Sequence, residues 1–287
     1  MKIGYVCAAF PAPSESWIRV EADALKAAGH EVRVSTLDKP KLLTTCNFLV
    51  CHFATLAGFA NSYAVPYVLI PHARDIWPDD GAQLKRAVLT HRNLVAVGCI
   101  SSYHRERYVA WGIPEDLLVD YPVAIDVKTF SAKECTLAGR EFVGCGGRDV
   151  PKKGLPLAWE AWPAAWMFGG KGEWLEPKRL ASTIERNVWC WLNASVVAPD
   201  RDMDGLPCLC LELGAMARRI VTTKVAGLCD LEGMVTFAGP TSMALRKAIE
   251  NEPHDFNFKL MRYVQNRHCP STVAENVVRI ATERTWQ

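Results

Sequence analysis

Two acidic residues, Asp204 and Glu212, bracket a segment whose composition favours a loop followed by a helix. Asp204-Gly205 is typical of a loop, and Pro207 suits the first helical position because the N–H that proline lacks would have no partner there. The open N–H groups of such a helix start, with the positive end of its dipole, attract an anion such as a diphosphate. A carboxylate at Glu212, about one and a half turns into the helix, could then accept hydrogen bonds from sugar hydroxyls attached to that anion. The alternative is an ordinary loop in which Asp204 caps the helix and Glu212 is solvated.

A second candidate segment carries two cations, Arg148 and Lys153, between Gly147 and Gly154. A planar guanidinium fork and a point charge together can neutralise a phosphate leaving group without a metal ion. The alternative is a solvated basic turn. The basic segment lies upstream of the acidic segment. This favours the first interpretation, because the two segments could then bind the same anion.

A histidine, His72, directly follows an apolar run at residues 65–70 that we predict to be a strand. In parallel α/β sheets the ligand site lies at the carboxyl ends of the strands, which is where this histidine would sit. The alternative is a histidine that only hydrogen-bonds its own loop. Trp77, just beyond, could stack on an acceptor sugar or could be a packing anchor.

Strand-like runs that alternate with helical stretches predict parallel, doubly wound sheets. In the first half the predicted strands are 2–7, 31–37, 47–52, 65–70, 94–100 and 117–122, and the predicted helices are 17–28, with a cap from Ser14 or Ser16, and 103–111. In the second half the predicted strands are 141–146, 193–199 and 220–223, the predicted helices are 209–217 and 270–286, and residues 165–172 suggest a strand with a glycine turn. We expect a linker at residues 131–139.

Composition sets the remaining limits. The 287 residues suffice for two modest domains, and a formal net charge of +2 gives no excess of positive charge for nucleic acid. The 11 cysteines form no paired framework and Cys208-Leu-Cys210 has no metal-like spacing, so we expect buried thiols in a reducing compartment. No apolar run approaches the roughly 20 residues of a membrane span, and no signal peptide is expected. We therefore expect a cytoplasmic protein, and peripheral contact with a membrane is left open.

The acidic segment resembles the E-x7-E segment of retaining glycosyltransferases of the GT-B fold, of the family 4 type, which reads roughly E-G-L-P-x-x-x-L-E-A-M-A. Asp204 departs from it by one methylene. The segment from Gly147 to Gly154 resembles the family's G-R-L-x-x-x-K-G, and His72 with Asp75 resembles T-H-G-x-D. The landmarks occur in the family's order over roughly residues 1–130 and 141–245.

The resemblance implies an α/β chain with two Rossmann-like domains facing across a cleft. Residues 1–130 would form the acceptor-side domain, with helix 271–287 packing back on it, and residues 140–270 the nucleotide-sugar domain. His72 and Asp204 would be catalytic, and Glu212 would hold the ribose. The residues implied at the donor diphosphate are Arg148, Lys153, Gly205, Leu206, Pro207 and Cys208.

The function that the resemblance implies is a retaining, hexosyl-type transfer from a UDP- or GDP-linked sugar, with no metal and no cofactor other than this donor as co-substrate. The acceptor would be a glycan, a lipid-linked molecule or a protein, and nucleic acid is not expected. A catalytically impaired nucleotide-sugar-binding protein and another GT-B enzyme such as an epimerase are the alternatives. Cations in neighbouring helices could face an anionic acceptor or simply water: Lys85, Arg86, Arg92, His104, Arg105 and Arg107.

Overall fold

The structure is a computed structural model that describes residues 1–10, 15–72, 75–132, 140–170 and 175–285. The chain forms two compact units, the first made of Met1–Ala124 with Pro270–Gln287 and the second of Ile125–Cys269. The linker expected at residues 131–139 lies mostly outside the described residues.

The regular elements alternate along the chain as a doubly wound fold requires. The strands are β1 (Lys2–Cys7), β2 (Glu31–Thr36), β3 (Phe48–His52), β4 (Tyr67–Ile70), β5 (Leu94–Cys99), β6 (Leu118–Asp120), β7 (Phe142–Gly146), β8 (Trp166–Phe168), β9 (Val188–Asn193), β10 (Arg219–Thr223) and β11 (Thr236–Ala238). The helices are α1 (Ser16–Ala27), α2 (Ala57–Asn61), α3 (Ala82–Thr90), α4 (Ser102–Ala110), α5 (Leu155–Ala161), α6 (Pro177–Asn187), α7 (Cys208–Ala215), α8 (Ser242–Glu250), α9 (Phe258–Arg267) and α10 (Pro270–Thr285).

The first unit is a parallel sheet in the order β2-β1-β3-β4-β5-β6. Every residue of β3 and β4 is buried, as expected for strands covered on both faces. Helix α10 buries the predicted stripe Val273, Val277, Ile280 and Ala281, and its partner in the fold is α1. The parallel, doubly wound sheet predicted for this half is therefore confirmed.

The second unit is a parallel sheet in the order β11-β10-β9-β7-β8. The chain runs outward from β7 to β8 and then returns to the other side of β7 with β9, so the strand order reverses between β7 and β9. Such a switch point leaves a crevice at the carboxyl ends of the two strands, and ligands bind there in open α/β sheets. Ile125 and Phe130 are buried in the core of this unit, so the segment that contains them belongs to the second unit.

Three local predictions were wrong. The strand predicted at 193–199 ends at Asn193, because the fully buried run from Val188 to Asn193 forms β9 and the next residues already lie beyond its carboxyl end. Ser16 lies inside α1, whose N-cap position is Glu15 without a capping side-chain bond, and Ser14 is outside the described residues. Helix α7 starts at Cys208, so Pro207 precedes the helix and does not open it.

A buried acid, Glu21 of α1, ties elements of the first unit together. Tyr5 of β1 donates its hydroxyl hydrogen to Glu21 Oε1 at 2.6 Å, and the Tyr121 hydroxyl donates to the same oxygen. Burial raises the pKa of Glu21 to about 7, although both tyrosine bonds act to lower it.

This raised pKa predicts how stability depends on pH. Between pH 4.5 and 7 the unfolded chain ionises Glu21 while the folded chain keeps it protonated, so the folded state binds more protons and loses stability as the pH rises. Relative to Glu21→Gln, the free energy of unfolding of the wild type should fall by up to about 3 kcal/mol across this window. Chemical denaturation at several pH values measures it. Glu275→Gln, at an exposed position of α10, is the control and should parallel the wild type.

Candidate functional site

The loops that follow β7 and β9 meet at the switch point of the second unit. The first of them ends in a 3₁₀ turn at Pro151–Lys153 and in Gly154, whose φ is +57°. A Cβ at Gly154 would lie 1.9 Å from the carbonyl oxygen of Ala194, so only glycine allows this approach. The N–H of Val196 donates to the Lys152 carbonyl at 2.9 Å and fixes the two loops side by side.

An ion pair crosses between these loops. Lys153 Nζ lies 2.9 Å from Asp204 Oδ2, and the side chains are only 16% and 8% exposed. The hydroxyl of Ser195 donates to the same carboxylate oxygen at 2.7 Å. Asp204 is therefore a fixed, charge-balanced carboxylate, and Lys153 is held in place by a partner of opposite charge.

Ser195 is itself positioned by the strands beside it. Asn193 Nδ2, at the end of β9, lies 3.1 Å from Ser195 Oγ and 2.9 Å from Thr222 Oγ1 of β10. The Thr223 hydroxyl donates to the Ser195 carbonyl. These buried hydrogen bonds position Ser195, and through it Asp204, relative to the sheet, because their donors and acceptors lie at the ends of β9 and β10 or just beyond them.

A second ion pair supports the first. Lys152 Nζ lies 3.1 Å from Asp202 Oδ1 and 3.0 Å from Oδ2, with side chains 7% and 11% exposed. It links the same two loops one residue earlier in the basic turn. This second pair was not predicted from the sequence.

The start of α7 closes the site from a third side. Gly205, Leu206 and Pro207 are buried, and Cys208 at the first helical position is half-buried. The N–H of Gly227, in the loop after β10, donates to the Gly205 carbonyl at 2.6 Å. Burial raises the pKa of the Cys208 thiol to about 12, and the charges of Glu212 and Asp204 also raise it, while that of Lys153 lowers it. These charges therefore all lie near the start of α7.

Glu212 of α7 is half-buried and has an acidic neighbour. Burial, and then the charge of Asp126, raise the pKa of Glu212 to about 7. Asp126 Oδ1 accepts the N–H groups of Thr129 at 3.1 Å and Lys128 at 3.2 Å, so a turn fixes it. Glu212 can therefore carry its proton near neutral pH. Arg148 is exposed on the loop after β7.

His72 belongs to the first unit and is half-buried directly after β4, the position predicted for it. Its ring lies between those of Trp17 and Phe53, with centroids 4.7 Å away in both cases. Its backbone N–H donates to Asp75 Oδ1 at 2.7 Å. Burial raises the pKa of Asp75 to about 7.

Of the two interpretations of Trp77 the packing anchor is confirmed, whereas the prediction that His104 is a surface cation was wrong. Trp77 is 2% exposed and packs against Tyr103, His104 and Trp111, so it is a packing anchor and cannot stack on a sugar. His104 is fully buried, with its Nδ1 2.6 Å from Ser101 Oγ, and burial lowers its pKa to about 3. It therefore belongs to the core, and the remaining cations of that group are exposed or half-buried: Lys85, Arg86, Arg92, Arg105 and Arg107.

The structure thus gathers Lys153, Asp204 and Glu212 around the start of α7. It adds residues that the sequence analysis missed: Ser195, Asp126 and the pair Lys152–Asp202. If the end of β9 had been predicted at Asn193, Ser195 would have been expected just beyond the carboxyl end of a strand. The two buried pairs carry no such signal, since their partners are about 50 residues apart.

Within the described ranges, no helix is long and apolar enough to cross a membrane, and no three His, Cys, Asp or Glu side chains are grouped to hold a metal ion.

No protein-family model matches the sequence, and no curated protein matches it significantly. Solved structures do match over the whole chain. HepE from Anabaena, in complex with UDP and glucose, has a TM-score of 0.74 at 13% identity, covering 99% of this chain and 100% of HepE. Sucrose-phosphate synthase from Thermosynechococcus elongatus has a TM-score of 0.77 at 12% identity, covering 99% of this chain and 98% of the synthase.

A third match is an alpha-glucosyltransferase in complex with UDP and a 13-mer DNA containing an HMU base. Its TM-score is 0.64 at 12% identity, covering 98% of this chain and 99% of that one. Full coverage in both directions and the two parallel sheets decide the architecture. The chain has the GT-B fold.

The buried pair Lys152–Asp202 gives a stability prediction. Lys152→Met leaves a buried carboxylate without its cation and should destabilise the protein by about 3 kcal/mol. Adding Asp202→Leu should restore most of that loss, since it removes the stranded charge. Lys224→Met breaks an exposed pair with Glu232 in the same unit and should cost less than about 1 kcal/mol. Urea denaturation measures all three, and equal losses for Lys152→Met and Lys224→Met would contradict the prediction.

Proposed function

We propose that this chain is a glycosyltransferase that moves a hexosyl group from a nucleotide-diphosphate sugar to an acceptor with retention of anomeric configuration. The observation that carries the proposal is the ion pair Lys153–Asp204 at the start of α7, with Arg148 on the adjoining loop. It supports the proposal because Lys153 is held beside the start of α7 at the switch point of the sheet, where a cation and a helix start together favour an anion.

In this proposal the donor diphosphate meets Arg148, Lys153 and the residues Gly205 to Cys208. Lys153 carries three N–H donors, so its bond to Asp204 leaves donors for a phosphate oxygen. Charge builds up on the leaving phosphate in the transition state, and preorganised cations stabilise that charge without rearranging. Because these cations supply the neutralisation, the proposed reaction requires no metal.

Asp204 and His72 are the proposed catalytic residues that address the transferred sugar. Lys153 and Ser195 both donate hydrogen bonds to Asp204 Oδ2. The other carboxylate oxygen, Oδ1, is then suited to accept a hydrogen bond from a sugar hydroxyl. The aspartate side chain is one methylene shorter than the glutamate of the E-x7-E segment, and it fits this role because the hydrogen bonds from Lys153 and Ser195 fix its position. His72 would hydrogen-bond another sugar hydroxyl from the first unit.

Glu212 is the proposed ribose ligand. With a pKa of about 7 it is present in both protonation states near neutral pH, and the ionised form accepts hydrogen bonds from two neighbouring hydroxyls. Binding the ribose diol should therefore favour the ionised form. Glu212→Gln should weaken donor binding less than the loss of a phosphate-binding cation, because its amide oxygen still accepts one bond.

The donor is proposed to be UDP- or GDP-linked, and the acceptor a glycan, a lipid-linked molecule or a protein. The exposed Arg86, Arg92 and Arg107 of the first unit would suit an anionic acceptor or the peripheral surface of a membrane in the cytoplasm. A nucleotide-sugar-binding protein without turnover is the competing proposal, motivated by Asp204 in place of glutamate.

One experiment tests the proposal directly. The protein is incubated with a panel of UDP- and GDP-sugars, with and without glycan, lipid-linked and peptide acceptors, and released nucleotide is measured. Proton NMR of the product then gives the anomeric configuration. Release with retention is expected. Tight donor binding without any release would instead favour the binding protein, and inversion would overturn the proposed stereochemistry.

Arg148 gives the sharpest test of the donor site. Arg148→Ala should cost about 2–4 kcal/mol of transition-state stabilisation, measured as kcat/KM for nucleotide release. Arg148→Lys should recover only part of it, because a point charge cannot replace the planar fork. Arg186→Ala is the matched control: Arg186 is exposed, bonds Ser182 within α6, and precedes β9 at the opposite edge of the sheet. Equal activity and donor affinity in all variants would mean that Arg148 belongs to a solvated turn.

A further inference from the structure

A buried histidine, His52, lies against the proposed catalytic His72. β3 ends at His52 and His72 follows β4, and these parallel neighbours pair His52 with Ile70 in register. Because the carboxyl ends of adjacent parallel strands share one edge of the sheet, the two imidazoles come together there. His52 Nδ1 lies 3.5 Å from His72 Nε2, and the ring centroids are 5.7 Å apart.

The ring of His52 is held from several sides. Tyr5 stacks on it with centroids 5.7 Å apart and an interplanar angle of 21°, and Trp17 meets it edge-on at 4.8 Å. Tyr121 approaches its edge at 6.4 Å. Both tyrosines are tied through their hydroxyls to Glu21, so the walls around His52 are themselves fixed. The packing therefore holds the plane of the imidazole beside His72.

The surroundings of His52 decide which of its nitrogens carries the proton. Its side chain is fully buried, and burial, followed by the charge of His72, holds its pKa well below the ordinary value, so the ring is neutral with a single N–H. Among the described residues His52 Nε2 has no hydrogen-bond partner. A proton there would be a buried donor without an acceptor, whereas a proton on Nδ1 faces His72 Nε2.

We propose that His52 is a positioning residue that donates its Nδ1–H to His72 Nε2 and thereby holds His72 as the tautomer protonated on Nδ1. The consequence for the reaction rests on the proposed function, in which His72 meets the transferred sugar. With its Nε2 occupied as an acceptor, His72 presents an N–H donor at Nδ1 to a sugar oxygen. A hydrogen-bonded partner setting the tautomer of a functional histidine is a known use of a supporting residue.

The test begins with the tautomer itself, which needs no substrate. Long-range ¹H–¹⁵N NMR spectra of the ¹⁵N-labelled protein at pH 8 distinguish protonated from bare imidazole nitrogens, and a His72→Gln variant assigns the His72 signals. The wild type should show His72 with its proton on Nδ1. Finding the proton on His72 Nε2 would overturn the inference.

Two substitutions of His52 separate hydrogen bonding from packing. Asparagine places an amide N–H close to the position of the histidine Nδ1, so His52→Asn should keep the Nδ1-protonated His72. His52→Phe fills the site without a donor, and His72 should shift toward the form protonated on Nε2. An unchanged His72 tautomer in folded His52→Phe would also overturn the inference, and thermal unfolding confirms that each variant is folded.

Kinetics provide the second readout, on nucleotide release from the UDP- and GDP-sugar panel. His52→Phe should lower kcat about tenfold, the effect of one lost hydrogen bond, with a smaller change in KM, and His52→Asn should recover most of it. His91→Phe is the control: its Nδ1 bonds the Tyr67 hydroxyl at 2.7 Å, at the amino-terminal end of β4 and away from His72. It should leave kcat unchanged.

The two proposals fail separately. If the wild type releases no nucleotide, the proposed function is wrong, while the dependence of the His72 tautomer on His52 still stands on the spectra. If the wild type transfers sugar and the His72 tautomer ignores His52, only the inference is wrong.

Discussion

The ion pair between Lys153 and Asp204 is the interaction on which the rest of the candidate site depends. It joins the loop after β7 to the segment after β9, the two strands between which the sheet reverses its order. Gly154 allows the close approach, and Ser195 and the pair Lys152–Asp202 hold the two sides in register. A largely buried cation and carboxylate tolerate little displacement, since separating them would leave each charge poorly solvated. The geometry is thus set before any ligand arrives.

Burial raises the pKa of acidic side chains in both units. Glu21, Asp75 and Glu212 each have a pKa raised to about 7, and desolvation is the largest cause each time. Their surroundings differ, however. Glu21 accepts hydrogen bonds from two tyrosine hydroxyls, Asp75 accepts the backbone N–H groups of His72 and Ala54, and Glu212 has the carboxylate of Asp126 as a neighbour. Desolvation therefore raises the pKa of a core residue, Glu21, and of a candidate ligand group, Glu212.

Both units place their candidate site residues at the carboxyl ends of parallel strands. In the second unit these ends carry the basic turn and Ser195, and in the first they carry His52 and His72. His52 packs against Tyr5 and Tyr121, whose hydroxyls bind Glu21, so the histidine pair and the buried acid belong to one packed cluster.

The sequence by itself determined the alternation of strands and helices, the parallel sheets, the stripe of α10 and the position of His72 after β4. Each follows from local pattern, because burial on both faces leaves continuous apolar runs and a helix buries every third or fourth residue. Only the tertiary structure decided the end of β9, the burial of Trp77 and His104, and the partners of Lys152, Lys153, Glu212 and His52. Those contacts join distant segments, and a residue's type and neighbours do not reveal which charge or ring the sheet will bring beside it.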